Sequence, residues 1–172
     1  MNEYGEAVHE IVALAPGGRL VGKTRLQKAG YLLELAGLGY GFDFSYHHYG
    51  PYSEDLAWAT KEAVVDGLVN EREQPAKWGG TFSVFETRPE TPSNERDFLR
   101  SSLLAKIARA DAVALELAAT AALLHEEGVG DWWEETARRK PLKANPELLA
   151  AAKRLWGDLQ KVDVPDRLPS LT

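Results

Sequence analysis

The stretch Gly17-Gly18-Arg19-Leu20-Val21-Gly22-Lys23-Thr24 matches the phosphate-loop pattern Gly-x-x-x-x-Gly-Lys-Ser/Thr at every position. No other feature constrains the fold so strongly, because such a loop works only between a buried strand and a helix. Lys23 would then reach terminal phosphates and Thr24 a magnesium ion. The residues before it do not read that way. Tyr4, Ala7, Val8, Ile11, Val12 and Ala15 recur at three- and four-residue spacing with Glu3, Glu6 and Glu10 between them, the pattern of an amphipathic helix. Ile11-Val12-Ala13-Leu14 alone fits a short strand. The mechanism also needs a second apolar strand ending in a metal-binding Asp, and Val64-Val65-Asp66, the candidate, sits inside a helical pattern. The stretch is therefore read as a glycine turn between two helices, and a phosphate-loop nucleotide-binding enzyme is kept as the remote alternative.

Thr24 followed by Gln27 has the spacing of a capping box, so a second helix is expected to begin there and to close at Gly37 and Gly39. Phe42 to Tyr46 alternates aromatic and polar residues, the period of a half-buried strand. Gly50-Pro51-Tyr52 then reads as a turn, and Ser53 as the N-cap of a third helix whose first turn holds Glu54 and Asp55. Leu56, Ala59, Ala63 and Gly67 mark its inner face; Trp58 and Val65 lie opposite, where another element is expected to cover them. Leu68–Glu71 and Thr81–Phe85 read as strands joined by a tip containing Trp78-Gly79-Gly80. Helix, helix, strand, helix and hairpin approximate a winged-helix order.

Residues 88–94 read as a linker, with Ser93 capping an Ala- and Leu-rich helical stretch to Leu124 that breaks near Asp111. Its polar stripe is Ser102, Lys106, Arg109, Glu116 and Thr120, and a helix so apolar belongs between other elements. Asp131 and Glu134 are expected to cap a short helix with Trp132 and Trp133, and Asn145-Pro146-Glu147 to start a last one. The expected class is mainly α with a small β-sheet. A winged-helix-like core occupies 1–88, a helical C-terminal part packs on it over 93–160, and 161–172 is a loose tail.

The 172 residues carry a net charge of −6 and no Cys. The charge disfavours general, phosphate-driven nucleic-acid binding, and the missing thiols suit a cytoplasmic protein without disulfides. Residues 1–6 lack the features of a signal peptide, and the apolar run around 112–124 is too short for a bilayer, so no membrane partner is expected. His47 and His48 would point to opposite faces of a strand, and His9 and His125 have no companion spacing, so no metal site and no cofactor is read. Ser53 beside Glu54 and Asp55 is explained as a cap rather than a nucleophile, so no catalytic residue is assigned and the chain is not read as an enzyme.

Two groups remain as contact candidates. Arg19, Lys23, Arg25 and Lys28 form an acid-free cationic segment that would meet phosphates if it opens the second helix of a helix-turn-helix. Tyr46, His48, Tyr49, Tyr52, Trp58 and Trp78 form an aromatic set suited to a protein interface, since Tyr and Trp offer large contact area with few rotors. An ordinary charged surface and an ordinary aromatic core are the alternatives.

The helix segment Leu26-Gln27-Lys28 followed by Tyr31-Leu32, and later Tyr49-Gly50-Pro51-Tyr52-Ser53 before a helix, resembles the YwgA-like bacterial proteins. More distantly it is similar to the SocA-like (Panacea) antitoxin domain. The resemblance spans roughly residues 19–70 and implies a winged-helix-like protein that binds a protein partner, a toxin or a defence component. It assigns structural weight to Leu26, Gln27, Gly50, Pro51 and Ser53. The C-terminal half departs from the antitoxin pattern. The expected function is thus a non-catalytic recognition module, with a DNA-binding regulator as alternative and a homo-oligomer left open.

Overall fold

A computed structural model describes residues 3–171 of the chain; Met1, Asn2 and Thr172, which fall in the expected core and tail ranges, lie outside the described residues. Its described residues form seven α-helices and five short strands, a mainly helical α+β architecture. Helix α1 (Glu3–Leu14) buries Val8, Ile11, Val12 and their neighbours, as the apolar spacing predicts. A single 3-10 turn at Pro16–Gly18 follows, and Gly17 and Gly18 both take φ near +65°, which only glycine adopts cheaply. At Gly18 a side chain would also strike the Thr87 carbonyl.

Strand β1 (Arg19–Val21) leads into α2 (Lys23–Leu35). Gly22 is the N-cap residue of α2, with no capping side chain, so the helix starts before Thr24 and the expected capping box is not formed. Gln27 has another use, described below. Strands β2 (Ser45–His47) and β3 (Gly50–Tyr52) pair antiparallel across a two-residue turn at His48 and Tyr49. The strand expected over 42–46 therefore starts later, and Gly50-Pro51 is the returning strand rather than the turn. Helix α3 (Glu54–Val65) is capped by Ser53, whose hydroxyl accepts the Leu56 amide at 3.1 Å.

Strands β4 (Asn70–Pro75) and β5 (Thr81–Glu86) form a hairpin, and β1 adds antiparallel to β5, giving the order β1-β5-β4 with Leu20 opposite Phe85. Helix α4 (Glu95–Arg109) is capped by Asn94, one residue beyond the expected Ser93, through Asn94 Oδ1 and the Asp97 amide. The break near Asp111 is a cap: its carboxylate accepts the amides of Val113 and Ala114 at 3.0 Å and opens α5 (Ala112–Glu126). Helix α5 is buried from Ala114 to Leu124 and packs against α2, α6 (Trp132–Arg139) and α7 (Pro146–Gln160). Asp131 sits at φ 45° and makes no capping bond, whereas Asn145 caps α7 as its sequence announces. One contiguous apolar cluster draws on α1, α2, α3, α4, α5 and α7.

The segment after α7 is not loose. Leu168 and Leu171 are buried, and the indole N–H groups of Trp156 and Trp133 donate to the carbonyls of Pro169 (2.8 Å) and Leu171 (2.5 Å). The Asp166 amide donates to the Ala36 carbonyl at 2.9 Å. Apolar burial and satisfied indoles tie this segment down, a correction that proline content alone could not anticipate. No helix among the described residues is long and apolar enough to cross a membrane.

Candidate functional site

Two neighbouring residues of α2 hold the β2–β3 hairpin. The Gln27 side chain accepts the Ser53 amide at 2.8 Å and donates to the Ser53 carbonyl at 3.0 Å, acting as a short surrogate strand. Lys28 extends through the core and donates to the Pro51 carbonyl at 2.8 Å. Ser53 then caps α3, so the Leu-Gln-Lys helix and the Tyr-Gly-Pro-Tyr-Ser segment are one mechanical unit. Within these motifs Gln27, Lys28 and Ser53 make structural ties, as the capping reading of Ser53 suggests.

The opposite side of the hairpin is held by the C-terminal helices. Lys140 donates to the His48 carbonyl at 2.7 Å and pairs with Glu116 at 3.0 Å; Lys143 pairs with the same carboxylate at 2.9 Å. Glu116 and Lys140 are buried, so the pair needs these several partners to offset its desolvation. The hairpin rings lie under cations: Arg139 over Tyr46 at 4.8 Å and Lys143 over Tyr49 at 4.7 Å. Gly50, at φ 86°, lets the backbone lie against Thr120, whose buried hydroxyl oxygen has no hydrogen-bond partner among the described residues.

Beside this hairpin, between α2, α3 and the β4–β5 sheet, lies a cleft of about 550 Å³. Its lining includes Lys23, Lys28, Tyr49, Tyr52, Lys61 and Glu71. Burial pushes the Lys28 ammonium down to about 7, and neighbouring Lys140 and Lys143 push the same way against the attraction of Glu116.

The expected cationic segment divides. Arg19 and Lys23 are exposed, Lys23 facing Glu71 at 3.9 Å. Lys28 is buried, and the half-buried Arg25 donates to the carbonyls of Val21, Ile107 and Ala110. Arg25 is spent on those three carbonyls, and Lys28, with one of its three donors on the Pro51 carbonyl, faces inward and not toward an outer nucleic-acid surface. The aromatic set divides too. Tyr49, Trp58 and Trp78 are exposed, and His48 with them; Tyr52 is half-buried against His47, and Tyr46 is covered by Arg139. Trp58 and Val65, expected to be covered, are 64% and 83% exposed.

Val21-Gly22-Lys23-Thr24 does not form a phosphate loop in this fold. The motif's own residues make β1, an antiparallel edge strand, and the glycine pair precedes that strand instead of following it. Among the described residues no group of three potential metal ligands converges. Sequence reasoning missed Lys61 and Glu71 in the cleft and Lys140 and Lys143 on Glu116. A lone glutamate in an Ala- and Leu-rich helix was a usable signal for the latter, since a buried carboxylate requires cations.

No family model matches the chain, and no solved structure matches it. The chain is similar to the uncharacterized protein YwgA of Bacillus subtilis (strain 168), at 32% identity over 76 residues. The match takes in 44% of this chain and 45% of that protein, so the chain spans less than half the length of the relative it resembles.

Proposed function

We propose that the chain is a non-catalytic recognition module that binds a protein partner, antitoxin-like or associated with phage defence, through the outer face of α3. The observation that carries this reading is the exposure of Trp58 and Val65, 64% and 83%, at i and i+7 on one helix face. Exposed Glu54, Asp55 and Asp66 flank them. Two exposed apolar residues with Lys61 between them and three carboxylates around them suit a protein interface with a buried aromatic anchor, and the net acidity of this face disfavours a phosphate backbone. The element order α1-β1-α2-β2-β3-α3-β4-β5, with β1 beside β5, supports a winged-helix-like core over 1–88 with β4–β5 as its wing and the β2–β3 hairpin inserted before α3. In that arrangement α3 is the helix a DNA-binding member would place in a groove, and its acidity favours protein over DNA. The exposed wing-tip Trp78 extends the same kind of surface. The similarity of the Leu-Gln-Lys and Tyr-Gly-Pro-Tyr segments to the SocA-like (Panacea) domain supports the antitoxin setting.

The test uses wild-type chain and Trp58→Ala as baits in the source bacterium, followed by titration of the purified partner. Wild type recovers one stoichiometric protein, and Trp58→Ala weakens it by roughly 30-fold, a hot-spot loss of about 2 kcal/mol. Equal affinity for both baits refutes the α3 interface. A DNA-binding regulator is the second reading, favoured by the same element order; it requires a specific mobility shift that Lys23→Glu abolishes.

A further inference from the structure

We propose that the cleft between α2, α3 and the β2–β3 hairpin is a binding site for an organic oxyanion, a carboxylate or phosphate group carried on an apolar body. Lys28 and Lys61 take the charge, and Tyr52 and Leu26 receive the body. The inference does not depend on the α3 interface, since Trp58 is outside the cleft lining.

The charge count across the cleft is unbalanced. Three lysines line it, at positions 23, 28 and 61, against the carboxylate of Glu71. That carboxylate is already engaged, by Lys23 at 3.9 Å and by the Ser83 hydroxyl at 2.5 Å. Among the described residues Lys61 has no carboxylate within ion-pair distance. Lys28 is 1% exposed, and its one hydrogen bond is to the neutral Pro51 carbonyl. The acid that attracts it, Glu116, is shared by Lys140 and Lys143. A buried ammonium with a single neutral acceptor lacks the counterion that burial of charge requires. Lys28 lines the cleft, so an anion entering there comes to the side chain that lacks a counterion. The α2 terminus adds to the same polarity, because Lys23 and Thr24 line the cleft and no side chain caps the first-turn amides of this 13-residue helix. Leu26, Tyr52 and Phe85 supply apolar walls, which excludes a bare inorganic ion as the best fit.

Binding is coupled to a proton. Glu116 of α5 and Lys140 and Lys143 of the turn after α6 act on Lys28, and Lys23, Lys61, Glu71, Tyr49 and Tyr52 share the lining of the cleft with it. Burial holds Lys28 at about 7, so near neutrality it is partly uncharged. An arriving oxyanion favours the charged form and raises it again, so the complex takes up a proton.

The experiment is calorimetric titration of the full chain with benzoate and phenyl phosphate, in two buffers of different ionisation enthalpy near neutral pH. Benzyl alcohol (no charge) and inorganic phosphate (no apolar body) are the comparison probes. We expect saturable binding of one or both aromatic oxyanions with proton uptake, and weaker binding of the comparison probes. Which of the two binds decides between carboxylate and phosphate. Lys61→Ala, an exposed position whose loss leaves folding intact, weakens binding about tenfold, the scale of one charged hydrogen bond. Lys28→Met, checked for folding by circular dichroism, abolishes the proton uptake. No binding of either oxyanion at millimolar concentration overturns the proposal. So does equal affinity for benzyl alcohol, or binding unchanged in Lys61→Ala.

Discussion

Replacing Gln27 by Leu removes both side-chain hydrogen bonds to Ser53 while keeping the side-chain size nearly constant. The two bonds are not equivalent. The Ser53 carbonyl also accepts the Ala57 amide at 3.1 Å, so it keeps a partner, whereas the Ser53 amide has only Gln27 Oε1. An orphaned buried amide costs about 1–3 kcal/mol, and loss of the second bond adds about 0.5–1.5 kcal/mol. The expected destabilisation is therefore roughly 2–4 kcal/mol. For a chain of this size that lowers Tm by about 5–15 °C. Urea unfolding followed by tryptophan fluorescence measures it directly, with the slope unchanged if native and unfolded states keep their compactness. Gln27→Glu supplies the control. Its carboxylate still accepts the Ser53 amide but turns a lone pair toward the Ser53 carbonyl; its protonated form restores the donor. The folded state thus favours protonation, which raises the carboxyl above its unfolded value near ~4.3. The variant's deficit against wild type then grows as pH rises above that value and shrinks in acid. A Gln27→Leu cost under about 0.5 kcal/mol, or a Gln27→Glu deficit independent of pH, refutes the surrogate-strand account.

Glu116→Gln leaves buried Lys140 without its counter-charge, and the expected loss is about 3–5 kcal/mol, less whatever Lys143 recovers by turning to solvent. In a cycle with Lys140→Met the two losses should be strongly non-additive; additivity within ~0.5 kcal/mol would show that the pair does not interact. Gly50→Ala forces an alanine to φ 86° and its methyl into Thr120, costing more than the ~1–2 kcal/mol of the backbone term alone; Thr120→Ala in the same chain recovers only the steric part, as chemical denaturation of the four variants will show. Lys28 lies at about 7 in the fold and near 10.5 when unfolded. The unfolded chain therefore binds the extra proton between those values, stability rises with pH across that window, by up to ~1.4 kcal/mol per unit, and Lys28→Met flattens the rise.

Local signals were legible where both partners lie within one turn of chain. The first helix follows from its apolar spacing, and Ser53 and Asn145 announce their helices because each cap accepts an amide three residues on. Ser93 and Asn94 are neighbours of equally good capping type, so residue type alone does not separate the expected cap from the observed one. Thr24 with Gln27 looked like a capping box because the glutamine's true partner, Ser53, is 26 residues away. The same blindness placed Arg25 and Lys28 on a cationic surface. Their acceptors are backbone carbonyls, 85 residues away for Arg25 and Ala110, and a carbonyl carries no letter in a sequence. Glu71 and Lys61 were invisible as cleft residues for a related reason. Only the return of the hairpin beside α3 brings them to the same space.

The double grip on the β2–β3 hairpin also dictates the order in which a nascent chain matures. Gln27 and Lys28 emerge from the ribosome before residues 51–53 and stand ready for them, but the bond from Lys140 to the His48 carbonyl spans 92 residues. Until Lys140, just beyond the sixth helix, has been translated, the second of these two ties cannot form. A chain ending before Arg139 lacks both the Lys140 bond and the cations over Tyr46 and Tyr49, so the second flank of the hairpin is left without these ties.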